Sequence, residues 1–264
     1  MRHWKKFKKD RFYLIKYLTT QMMISIVIIS IQLSFIDSVS FFKFHFEWWN
    51  ILLLPIGLII GVKMPVLIHN CVHGNIKPTI LNEVAGEIAG IYVLLSMAAF
   101  ELNHYMHHAH SDTDLDPHNP HKKNFIPFFF ANNFGGTRVV QHKFFQFHGN
   151  TQTNKSLFDL VCVLHFLNVP LRILFWILLF GPTLFLTFFI PSYLFHMFVF
   201  AHINYKTHET KENGEVVLHN LNSNCYYRFV NYFGNGVYFH KNHHQNPHYY
   251  NPQLGKSHKF FGSP

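Results

Sequence analysis

The chain has 264 residues, 49% of them hydrophobic and 18% aromatic with 31 Phe, and a formal net charge of +9. Long apolar runs alternate with stretches dense in His, Asn and Lys, which points to a membrane protein with substantial polar loops and excludes an evenly globular one. The three cysteines, Cys71, Cys162 and Cys225, are isolated, which argues against a disulfide framework, and the lack of any C-x-x-C excludes a zinc ribbon or fused rubredoxin-type carrier.

Seven basic residues lie within the first 16 positions: Arg2, Lys5, Lys6, Lys8, Lys9, Arg11 and Lys16. They read as a positive-inside anchor that keeps the N-terminus in the cytoplasm. An apolar segment follows at once and no nucleic-acid-binding motif is present, so no nucleic-acid partner is expected. That segment is too long for a signal peptide and no small-residue cleavage site closes it. The first span is expected over residues 17–36, roughly 30 Å of helix. Phe41, Phe42, Trp48 and Trp49 then form an interfacial aromatic belt in an external loop whose one basic residue is Lys43. A second span, 49–68, returns the chain and delivers His69 and His73, with Gly74 placed to stop the helix.

The apolar run 84–100 is short and contains Glu87. A crossing here would put His73 and His104 on opposite sides of a roughly 30 Å slab, so an interfacial or re-entrant helix is expected. Residues 157–201 are too long for one span, and Pro182 and Pro191 interrupt their uncharged core, so two crossings are expected. The expected fold is an all-α integral membrane protein of about four spans and a single domain, 1–264. It divides into a basic terminus (1–16), a first hairpin (17–68), a histidine-bearing segment with an interfacial helix (69–156), a second hairpin (157–205) and a cytosolic tail (206–264). Both termini are cytoplasmic, and segments 101–156 and 206–264 form a helical cap. The host membrane is a bacterial inner membrane or the endoplasmic reticulum.

Three histidine clusters stand out: His69/His73, His104/His107/His108 and His240/His243/His244. The last two share the pattern H-x-x-H-H, which places three imidazoles within roughly a 100° arc of a helix. At the chain's own histidine frequency this pattern arises by chance about 0.15 times, so two copies are a signal. Crowded imidazoles repel when protonated and leave ring nitrogens unpaired when buried; a metal removes both problems. Imidazole suits Fe, Zn, Cu and Ni alike, so spacing does not name the ion.

The clusters resemble the histidine boxes of the membrane fatty acid desaturase superfamily, which also includes alkane hydroxylases and carotenoid ketolases. They stand here as His69-NCV-His73, His104-YM-His107-His108 and His240-KN-His243-His244. The stretch HYMHHAHSDTDLDPHNP (104–120) resembles the second box of acyl desaturases, GNGVYFHKNHHQNP (234–247) resembles the third, and the likeness runs from about residue 18 to 252. The resemblance implies two iron ions (Fe2+/Fe3+) held by the eight box histidines and a ninth. His208, in the setting Asn204-Tyr205-Lys206-Thr207-His208, is its match for the ninth, with Asn204 a weaker, water-mediated ligand and His202 the rival. Nine imidazoles also exceed one ion's coordination shell and suit two.

By the same match, Asp112 and Asp116 are candidates to accept the N–H of a ligating imidazole; a solvated loop or helix cap is the plainer reading. Glu101, one turn before His104, is a third candidate. His110 faces away from the box, and His118, His121, His142, His148, His219 and His248 read as side chains that back the ligands, as hydrogen-bonded groups or as solvated ones. His196 reads either as a polar contact between helices or as part of a channel lining.

The resemblance implies an O2-dependent desaturase acting on a long acyl chain, with no side chain needed as nucleophile or general base. No H-P-G-G of a cytochrome b5-like domain is present, so electrons are expected from an external ferredoxin or cytochrome b5 type donor and its reductase. The alternatives are a hydroxylase or ketolase of the same superfamily, acting on a fatty acid, alkane or carotenoid, and, from a different class, a membrane metal-binding or transport protein.

Overall fold

The computed structural model describes residues 2–36, 38–120, 124–213 and 215–255; His121 lies outside them. A short helix α1 (Arg2–Lys9) precedes α2 (Tyr13–Ser34), which is apolar on every face and leaves Ile24, Val27 and Ile31 exposed, the signature of a lipid-facing span. The helix starts four residues before the hydropathy pattern predicts. Tyr13 and Leu14 are buried with Phe7 of α1 and Phe144 and Phe158 further along, so protein packing covers the first turn.

Two 3-10 turns, Val39–Phe42 and Trp48–Leu53, lead into α3 (Leu54–Val72). Gly74, at φ +69°, ends it in the left-handed region where a side chain is disfavoured. Next come α4 (Thr79–Tyr92) and α5 (Met97–Ala109), bent by 93° at a break of four residues in which Leu94 takes φ +56°. Ser96 caps α5 by accepting the Ala99 N–H. His73 precedes this bent pair and His104 lies on its second helix, yet their Nε2 atoms are 2.8 Å apart, so the pair leaves and returns to one end of the bundle.

Helices α6 (Phe125–Phe134) and α7 (Gly136–His148) lead to α8 (Gln152–Leu184), a π-helical turn Phe185–Phe189 and α9 (Ile190–Thr207). Laid straight, residues 152–207 would reach ~84 Å, far beyond a bilayer core of about 30 Å. They are broken at Gly181 (φ +70°, ψ 162°), and the rings of Trp176 and Phe189 stack at 5.1 Å across the break, so the chain folds back on itself. Trp176 Nε1–H donates to the Ile91 carbonyl at 3.1 Å, which fastens α8 to the α4–α5 bend.

The result is an all-α membrane protein in which α2 packs along α8 and α3 along α9. Among the described residues, three helical units are long and apolar enough to cross a membrane, and the bent pair makes a fourth if counted as one span. The α3–α9 seam is close: a Cβ on Gly61 would meet the Ser192 carbonyl oxygen at 2.5 Å. Past α9 lie a small antiparallel hairpin, β1 (His208–Thr210) with β2 (Val216–Leu218), and helices α10 (Cys225–Phe233) and α11 (His240–Gln245).

Candidate metal centre

The imidazoles gather where the C-terminal ends of α3, α5 and α9 meet α11. His69 sits in the last turn of α3 and His73 caps it; His104, His107 and His108 lie on α5; His208 opens β1; His240, His243 and His244 belong to α11. They form two groups, His69, His73, His104, His108 and His243 in one and His107, His208, His240 and His244 in the other, each with its nitrogens within 4.8 Å of one another.

Each H-x-x-H-H box is divided between the groups. Residues i and i+4 of α5 point to the first group and i+3 to the second; α11 reverses this, sending His240 and His244 to the second and His243 to the first. His208 joins the second group. His202 instead pairs through Nδ1 with the Tyr238 hydroxyl and is in neither.

Several Nε2 atoms face one another at close range. In the five-membered group the His73–His104, His104–His108, His108–His243 and His69–His243 separations are 2.8, 3.0, 3.0 and 3.1 Å. In the other, His240 lies 2.9 Å from His208 and 3.0 Å from His244. Donors at about 2.1 Å from one ion and at right angles to each other stand ~3.0 Å apart, so these spacings suit a shared cation.

The proton positions support the same fit. Asp116 takes the His107 Nδ1–H at 3.0 Å on both its oxygens, and Asp112 takes the His208 Nδ1–H at 2.8 Å. With Nδ1 protonated, a neutral ring presents a bare lone pair at Nε2, and the buried His107 Nε2 has no hydrogen-bond partner among the described residues. A cation is what such an atom lacks. Burial, reinforced by neighbouring imidazoles, holds His240 and His243 well below the ordinary imidazole value, so they are neutral near pH 7.

The two aspartates are tied together through the backbone of one and the carboxylate of the other. Asp112 adopts φ +60°, a conformation Asp tolerates better than most residues, and its N–H donates to Asp116 Oδ2 at 2.8 Å. Asp116 Oδ1 also accepts the His118 N–H at 2.8 Å.

Glu101 corrects the sequence reading. Its carboxylate turns away from the imidazoles to the N-terminus of α1, accepting the Trp4 N–H at 2.8 Å, where the unpaired amides and positive end of a helix attract an anion. Trp4 stacks on Tyr105 at 4.0 Å, so α1 braces the box-bearing α5.

Of the places open to His118, the structure gives it a hydrogen-bonded one behind the ligand candidates. It is buried, stands 5.4 Å from the His107 ring, and pairs through Nδ1 with Asn132 Oδ1 at 3.0 Å. Spacing alone gave no signal for this, because Asn132 comes from α6. Asn204 is buried on α9 and donates to Asn132 Oδ1 and the Phe200 carbonyl, both at 3.2 Å. His148 pairs with the Phe7 carbonyl at 2.9 Å and His219 with Glu209 at 2.7 Å, while His142 is exposed.

Two of the cavities that border the centre lie among the long helices. One runs between α3 and α9, where Val62, Val66, Val199 and Ile203 face histidines of both groups. The other, of about 250 Å3, lies behind His104, His118 and Phe200, which line both cavities; His196 forms part of its wall. It shares Leu95, Asn103, Thr137, His165 and Val169 with a third cavity of about 480 Å3 between α2, α5, α7 and α8.

Among known protein families, residues 46–261 match the family described as fatty acid desaturase. Neither the curated proteins nor the solved structures include a match.

Proposed function

The chain belongs to the fatty acid desaturase family, and from that premise we propose that it introduces a double bond into a long acyl chain in an O2-dependent reaction at two histidine-held iron ions. The observation that carries this reading is the pair of buried imidazole groups bordering an apolar cavity. His69, His73, His104, His108 and His243 would hold one ion and His107, His208, His240 and His244 the other. Iron bound there supplies the electron-transfer chemistry that activates O2 and removes hydrogen from unactivated C–H bonds.

The chain's own part is positioning. Asp112 and Asp116 keep His208 and His107 protonated at Nδ1, so that Nε2 faces inward as a donor, and raise the basicity of both rings. The apolar walls of the α3–α9 cavity exclude water and hold one carbon pair against the centre. The bent α4–α5 pair brings His104, His107 and His108 to the end of the bundle where α3 leaves His69 and His73. That end is cytoplasmic in this reading, together with both termini. Electrons arrive there from a separate ferredoxin or cytochrome b5 type donor.

Mass spectrometry of lipids from cells expressing the protein with labelled fatty acids tests the reaction. A product two hydrogens lighter than its precursor supports desaturation; a product one oxygen heavier replaces it with hydroxylation. Metal analysis of the purified chain gives about two irons if the assignment holds, and none, with full occupancy by another metal, if it fails.

A further inference from the structure

The cavity behind His104 and His118 has a polar waist, with Asn133, Thr137, His165 and Tyr193 also on its wall. Asn103, Asn132 and His196 line it, and each carries a buried polar atom with no hydrogen-bond partner among the described residues: Asn103 Oδ1, Asn132 Nδ2 and His196 Nδ1. Asn132 and His196 are only 3% and 6% exposed.

The orientation of Asn132 is set from the opposite side. The Phe200 carbonyl can only accept, so Asn204 meets it with its NH2 group, and the same NH2 donates to Asn132 Oδ1. That oxygen also takes the His118 Nδ1–H. Asn132 therefore has an unspent donor, Asn103 an unspent acceptor, and His196 a ring nitrogen able to serve as either. No Asp, Glu, Lys or Arg is among the described residues of this lining. Unmatched polar atoms at such depth are unfavourable unless something completes them.

We propose that this waist binds a neutral group of the lipid substrate that both donates and accepts a hydrogen bond, a hydroxyl or a secondary amide. The proposal rests on the enzymatic reading above and narrows its substrate class. A bare alkyl chain leaves all three atoms unmatched. An ester or thioester carbonyl accepts from Asn132 but offers nothing to Asn103. One alkyl arm then continues past Leu95 and Val169 into the wider cavity between α2 and α8, and the arm to be desaturated passes His104 and Phe200 toward the α3–α9 cavity.

The test is equilibrium binding of four ligands of matched chain length to the purified, iron-loaded full chain: N-methylpalmitamide, 1-hexadecanol, methyl palmitate and hexadecane. The amide, the alcohol or both bind about tenfold more tightly than the ester and the alkane, and whichever shows the preference identifies the group. His196→Phe and Asn132→Leu each reduce that preference to less than about threefold. His196→Phe is the safer variant, because its Nδ1 has no partner in the protein to lose. Equal binding of all four ligands, or a preference unchanged in the His196 variant, overturns the subsite.

Binding needs no turnover, which separates the two readings. Selective binding by a chain that holds no iron would sink the enzyme assignment and leave the subsite standing. Two irons and turnover without selectivity would do the reverse.

Discussion

An imidazole has two nitrogens, and a metal site works only if the protein decides which one carries the proton. Asp116 does this for His107, and it is committed on all sides: both oxygens reach His107 Nδ1, Oδ2 takes the Asp112 N–H and Oδ1 the His118 N–H. Asp116→Asn puts an NH2 group against one of those N–H donors and removes the charge. If iron is the metal, as proposed, its affinity at the His107 group should fall roughly 10- to 100-fold. Iron counting after dialysis against graded chelator should show one ion lost early and one retained; retention of both at wild-type affinity would refute the role. The buried neutral histidines also give a pH signature. For His240 and His243 the folded-state value is depressed, so below the unfolded value of about 6.5 the unfolded chain binds more protons than the folded one. The thermal midpoint of the metal-free chain should fall as pH drops from 7 toward 5. A flat profile across that window contradicts the burial of these rings.

At the scale of elements, the organising fact is how α5 and α11 share their histidines. On a helix, i+4 lies about 40° to one side of i and i+3 about 60° to the other, so one box can serve two centres. His107 crosses to the group of His240 and His244, and His243 crosses to that of His104 and His108. Moving either helix disturbs both groups. The α3–α9 seam has similar reach, since α3 carries His69 and His73 while α9 ends at His208. Gly61→Ala drives a methyl into the Ser192 carbonyl, and should cost about 1–3 kcal/mol in thermal unfolding along with iron content. An unchanged midpoint would show that the seam relaxes freely. The boxes were legible because helical spacing is written in the sequence. His208 entered only through a resemblance, with His202 as its rival, and packing is what separates the two. That residues 84–100 do not carry His104 away from His73 was legible for a different reason, since the two had to meet; the sharp bend that splits the run into α4 and α5 was not. The division of each box between two groups was not, since a single 100° arc does not reveal two centres. Nor was the place of Glu101 or Asn132, because each depends on which helix packs there, and spacing along one helix says nothing of its neighbours. The β1–β2 hairpin is too short for an alternating pattern to register.

The whole molecule turns on sidedness. Four chain segments distant in sequence deliver imidazoles to one end of the bundle, and α3 and α9 both run toward that end. The loop before α3 and the break at Gly181 lie together at the other end, where the His45 N–H donates to Thr183 Oγ1 at 2.8 Å. Native Cys225 is exposed on α10, between His208 and His240 in sequence, and so reports on the histidine end; Cys71 is buried. With Cys162 replaced by Ala, a membrane-impermeant maleimide should label Cys225 only from the cytoplasmic face of membrane vesicles. A His45→Cys variant, at a position whose side chain is 80% exposed, should label only from the opposite face. Labelling of both from one face would mean that the apolar unit Trp48–Val72 does not cross the bilayer. Its end could then not carry His69 and His73 from the far side to the imidazoles of α5 and α11, and the centre would need a different route of assembly.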